Sequence, residues 1–216
     1  MTTTGILWND TASQGYPSVW YPPWDTMRVL MLLALLGATL PAHSQTHTDP
    51  TRKAYKVSYI GPFASLGIIG SQDLRTGLYL GLQTVRPEKR LNLAGKPFNL
   101  VLEGNVGYSY GGGWNLRPRD EVFTVGALAL MRYERMGPSR RGFFYELGFG
   151  VYYATEETFD VNLRWNTSPV SGIGWFIPYG DRDYQIGLRL YHISNGGARK
   201  PNQGQNQLVF MFGMRF

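Results

Sequence analysis

Residues 191–206 read YHISNGGARKPNQGQN, and they place His192 and Ser194 two positions apart ahead of a run of asparagines and glycines. An imidazole beside a hydroxyl is the smallest set that makes a nucleophile of an alcohol, because a ring nitrogen can take the hydroxyl proton. A third polar group accepting the other ring N–H would fix the tautomer, and Asn206 is the candidate for that role. Residues i and i+2 share a face only in an extended chain, so this chemistry requires a strand. The plainer alternative is that His192 and Ser194 mark the point where a strand leaves an apolar layer for water.

The segment before them, DYQIGLRLYHIS at 183–194, has Tyr184, Ile186, Leu188 and Leu190 on the parity that continues to His192 and Ser194. The same alternation recurs along the chain. It sets Leu78, Leu80 and Leu82 against Gly77, Tyr79 and Gln83, and Leu100, Leu102 and Val106 against Asn99, Glu103 and Asn105. It also sets Phe123, Val125 and Ala127 against Thr124, Gly126 and Arg132, and Leu147, Phe149 and Val151 against Glu146, Gly148 and Gly150. With a less regular first strand in 54–69, a weaker one at 169–177 and a last one at 206–216, the reading is eight strands and no helix.

Each strand has one apolar face and one face of small and charged residues. A soluble lipocalin-like barrel would turn the apolar face inward; a transmembrane barrel turns it toward lipid. Strand lengths near the ~9–11 residues that cross a bilayer favour the second arrangement. So do tyrosines near strand ends (Tyr108, Tyr133, Tyr153, Tyr184). The chain ends QLVFMFGMRF, with Leu208, Phe210, Phe212, Met214 and Phe216 on one parity, which resembles the C-terminal signal of bacterial outer-membrane proteins. The expected fold is therefore all-β, an eight-stranded antiparallel transmembrane β-barrel. In this topology the connections near 109–121, 154–168 and 195–205 lie outside the cell and the short turn at 178–182 lies in the periplasm. The connection 85–96 is longer than a periplasmic turn should be.

Three segments divide the chain. Residues 27–44 have the form of a secretory signal: Met27, Arg28, an apolar core over Val29–Leu40, then small residues at Ala42 and Ser44. That core is too short for a spanning helix. Residues 1–26 contain Asp10 and Asp25 and no basic residue, the wrong polarity for a signal, and read as a start-site artefact or an extension. Residues 45–216 form the barrel domain. The 216 residues contain no cysteine, which excludes disulfides and thiolate metal sites. The net charge of +6 is scattered rather than clustered, so nucleic acid is not an expected partner. The loops also carry no acidic cluster with calcium-ligand spacing.

The stretch HISNGG…KPNQGQN is similar to the signature of PagL-type lipid A deacylases: His-x-Ser-Asn, a Pro-Asn-x-Gly turn, then an acidic or amide residue. The resemblance extends through MRY at 131–133, ELGFGVYY at 146–153 and the terminal strand. It implies an outer-membrane serine esterase that releases an ester-linked acyl chain from the lipid A of lipopolysaccharide, with no metal or cofactor. Ser194 would be the nucleophile and His192 the general base. Asn195, Gly197 and Asn202 would be candidates for holding the oxyanion, with Pro201 and Gly204 shaping the turn. The family's third residue is typically Glu and stands here as Asn206, which can orient the imidazole but not stabilise its cation by charge. The implied partner is lipid A in the outer leaflet, with a homodimer left open. The alternatives are a non-enzymatic barrel (structural, adhesin or lipopolysaccharide-binding) and a phospholipase using the same site.

Overall fold

The computed structural model describes residues 54–66, 73–93, 95–113, 120–137, 139–158, 160–200 and 202–216. The expected signal at 27–44, the segment 1–26 and Pro201 lie outside the described residues. The strands are β1 (Tyr55–Leu66), β2 (Asp73–Leu93), β3 (Lys96–Gly113), β4 (Asp120–Met136), β5 (Gly142–Ala154), β6 (Trp165–Tyr179), β7 (Arg182–Ile193) and β8 (Gln205–Arg215). Each pairs antiparallel with its neighbours in sequence, and β8 returns to β1 to close the barrel. Closure removes both sheet edges, so every strand has a partner on each side.

Burial follows the two parities. Leu80, Leu82, Val106, Phe123, Val125, Phe149 and Phe212 are exposed, whereas Arg75, Gln83, Arg132, Glu146 and Arg189 are buried. A water-solvated barrel would be arranged the other way round; an apolar wall around a charged lumen is the pattern of a barrel surrounded by hydrocarbon. The lumen is filled rather than open. Arg189 Nη1 donates to Glu103 at 2.7 Å and Arg132 Nε donates to Glu146 at 2.8 Å. Gln83 bridges the two pairs, donating to Glu103 at 2.8 Å and accepting from Arg132 at 2.7 Å. The hydroxyls of Tyr59 and Tyr191 close the network around Arg189 and Glu103. Charges taken this far from water persist only when paired and hydrogen-bonded. Inward glycines make room for the rings: a Cβ on Gly81 would lie 2.2 Å from Cε1 of Tyr59.

Three expectations are corrected. The 85–96 connection is mostly strand, because β2 and β3 continue past an irregularity between Arg86 and Leu91 and pair again through Leu91↔Phe98 and Leu93↔Lys96. Pro87 and the charges around it break the alternation there without ending the hairpin. β6 starts at Trp165 rather than 169, since its outward row Thr167, Pro169 and Ser171 is not strongly apolar and hides the period. The third concerns register at the site: a 195–205 hairpin that paired Ser194 with Asn206 would make Asn206 a diagonal neighbour of His192, whereas His192 itself pairs directly with Asn206.

Candidate active site

Alternation places the site. Arg189 and Tyr191 point into the lumen and are fully buried. His192 and Ser194, on the other parity, reach the outer wall at the end of β7 farthest from the β6–β7 turn. Ser194 lies just past the strand and is held in place by Thr167 of β6. The Ser194 N–H donates to the Thr167 carbonyl at 3.0 Å, and the Thr167 N–H donates to the Ser194 carbonyl at 2.7 Å. The Thr167 hydroxyl adds a bond to the same carbonyl at 3.1 Å. Among the described residues the Ser194 hydroxyl itself has no hydrogen-bond partner.

The direct register of β7 with β8 brings Asn206 Oδ1 to 2.9 Å from His192 Nδ1. An amide oxygen only accepts, so Nδ1 carries the proton and Nε2 is left with its lone pair. That is the tautomer a general base needs. Asn206 is itself buried, so its amide is held in place.

Below the ring lies Gly204, at φ +76°. A Cβ there would be 2.4 Å from His192 Cε1 and 3.0 Å from Nε2. Gly204 is therefore the seat of the imidazole as well as a turn residue. Its N–H donates to the carbonyl of buried Asp160 at 3.4 Å, beside a 3.0 Å bond from Gln203 N–H to the same oxygen. The Asp160 carboxylate in turn accepts the N–H of Asp73 at 2.8 Å. Asp160 thus ties the β5–β6 connection to the β7–β8 hairpin. Nothing in the sequence singled it out, because it lies in an irregular segment and acts largely through its backbone.

The three oxyanion candidates are arranged unequally. Asn195 spends its side chain on the hairpin, accepting from Gly197 N–H at 3.0 Å and donating to the Arg199 carbonyl at 2.7 Å. The Gly197 N–H is engaged in that same bond. Asn202 accepts from Asn195 N–H at 3.0 Å through Oδ1, which leaves its Nδ2 as a donor with no partner among the described residues.

The class that fold and geometry define is an inside-out eight-stranded barrel that carries an oriented histidine and a serine on its outer wall. Residues 76–215 match the family described as lipid A 3-O-deacylase (PagL), and the chain belongs to that family. Among solved structures it is similar to one described as the crystal structure of the outer membrane enzyme PagL. That likeness has a TM-score of 0.50 and 20% identity over 72% of this chain and 97% of the other. At that identity the likeness bears on the fold alone. No curated protein matches.

Proposed function

We propose that this protein is an outer-membrane serine esterase that removes the 3-O-linked acyl chain from lipid A. The observation that carries the reading is the oriented His192–Asn206 pair, set beside Ser194 on the outer wall of the barrel rather than in its lumen. Lipid A presents its acyl chains along such a wall and its sugars at headgroup level. A nucleophile for the sugar-proximal ester must therefore face outward near one rim. Family membership supplies the substrate class.

In the proposed reaction Ser194 Oγ attacks the ester carbonyl while His192 Nε2 takes its proton, and Asn206 keeps the other ring nitrogen protonated and in plane. The tetrahedral oxyanion is held by donors of the following hairpin, with Asn202 Nδ2 the side-chain donor open for the task. Collapse expels the sugar hydroxyl, which receives its proton from the imidazolium, and leaves an acyl group on Ser194. Water, deprotonated by His192, then releases the fatty acid and regenerates the serine. The test is mass spectrometry of lipid A from cells with and without the protein. Loss of one acyl mass from lipid A supports the reading. Unchanged lipid A with altered phospholipids would assign the site to phospholipid esters instead.

A further inference from the structure

The end of the barrel opposite Ser194 is electrically one-sided on its outer wall. Lys56, Arg86, Lys96, Arg135, Arg141 and Arg182 belong to five strands and the turn before β5. Each falls on the outward parity, continuing rows such as Leu80–Leu82 in β2 and Tyr184–Ile186 in β7. Register gathers them at one rim: Lys56 pairs with Thr84 two residues from Arg86, Lys96 with Leu93, Arg135 with Phe143 two residues from Arg141, and Arg182 with Tyr179. The described acids of these strand ends face the other way. Glu134 reaches inward to the Tyr55 hydroxyl, and Asp183 pairs with Arg140 at 2.7 Å and Arg215 at 3.8 Å. Among the described residues, Asp181 in the β6–β7 turn also stands nearby. At the rim that carries Ser194 the outward row of β4 instead holds Glu121 beside Phe123.

An outward ring of cations has no use in hydrocarbon, and long basic side chains there extend to the interface. Lys96 lies over the ring of Tyr133 at 5.9 Å, in an aromatic cluster with Phe98 and Tyr145. The collar therefore sits where aromatic residues mark a membrane boundary. We propose that this collar binds the phosphodiester headgroups of anionic phospholipids in the leaflet opposite the one that presents the lipid A ester. This rests on the reading that the barrel spans the outer membrane with the Ser194 rim outward. The collar would fix the barrel's depth, so that Ser194 stays level with the sugar-proximal ester.

The test uses the full chain folded in zwitterionic detergent, with phosphatidylglycerol and phosphatidylcholine added together and retained lipid read by native mass spectrometry. Deacylation of purified lipid A is followed in the same preparation. Phosphatidylglycerol should be retained preferentially, by roughly five-fold for each engaged cation. The preference should fall as sodium chloride is raised. The variant Lys56→Gln/Arg135→Gln/Arg141→Gln should lose at least about ten-fold of the preference while deacylating at the wild-type rate in detergent. If that variant does not fold, the salt titration of the wild type decides alone. Equal retention of the two lipids, or a preference indifferent to salt, overturns the collar even when deacylation is intact. Selective retention without any deacylation would leave the collar standing and remove the proposed chemistry.

Discussion

Strand β7 carries two polar clusters on its two faces, and they are built to opposite rules. Inward, Arg189 Nη1 and Nε are engaged by Glu103 and Glu146 at 2.7 and 2.5 Å, and Nη1 also donates to the Tyr191 hydroxyl at 2.8 Å. Outward, His192 has one nitrogen committed to Asn206, while among the described residues Nε2, the Ser194 hydroxyl and Asn202 Nδ2 have no partner. A buried charge with its partners in place holds a fold together. A buried or half-buried polar group left open at a surface is the arrangement of a binding or reacting site. Neighbouring residues along β7 thus separate a paired, buried cluster from the candidate site by the alternation of the backbone alone.

The sharpest way to break that contrast is to remove the proposed nucleophile or its proposed base. Ser194→Ala and His192→Ala should each lower deacylation by about 10⁴-fold or more, with heat-modifiable gel migration unchanged. The double variant should be no worse than either single one if the pair acts as the proposed unit. A double variant that multiplied the losses would mean that the two side chains act independently.

On the inner face the expectation is reversed. Arg189→Met leaves Glu103 and Glu146 without their shared cation and should cost about 3–5 kcal/mol in urea unfolding. The folded fraction should keep near-normal turnover. An equal loss of turnover per folded molecule would show that the two faces are coupled.

Gly204→Ala sharpens the comparison at the boundary between them. The new methyl collides with the imidazole at a backbone φ of +76°, so the ring must move. A displaced general base should cost about 10²-fold in turnover with little change in substrate affinity. A variant that only weakened affinity would leave Gly204 a plain turn residue.

The smallest expected effect is at Asn206. Asn206→Ala frees the ring and should reduce turnover by roughly ten- to a hundred-fold, while Asn206→Glu should preserve or raise it by stabilising the imidazolium. Turnover indifferent to Asn206→Ala would mean that the 2.9 Å contact does not orient the base.

What the sequence by itself determined is the set of local properties. The period of two made the strands visible, and parity assigned Glu103, Arg132, Glu146 and Arg189 to the inside and His192 and Ser194 to the outside. The spacing of His192 and Ser194 made the candidate chemistry legible for the same reason, because both lie on one extended stretch at the end of β7. Where the period was interrupted the strands were missed: Pro87 hid the continuation of β2, and the outward row Thr167, Pro169 and Ser171 hid the start of β6. Only the tertiary structure decided how strands sit against each other. The register of β7 on β8 depends on the course of the hairpin through Gly196, Gly197 and Gly204, all at positive φ, and no hydrophobic period encodes that course. It is this register that puts Asn206 opposite His192, Gly204 under the ring and Asp160 behind the turn. Parity belongs to a single strand and can be read along it, whereas register belongs to a pair and exists only once the loops have closed.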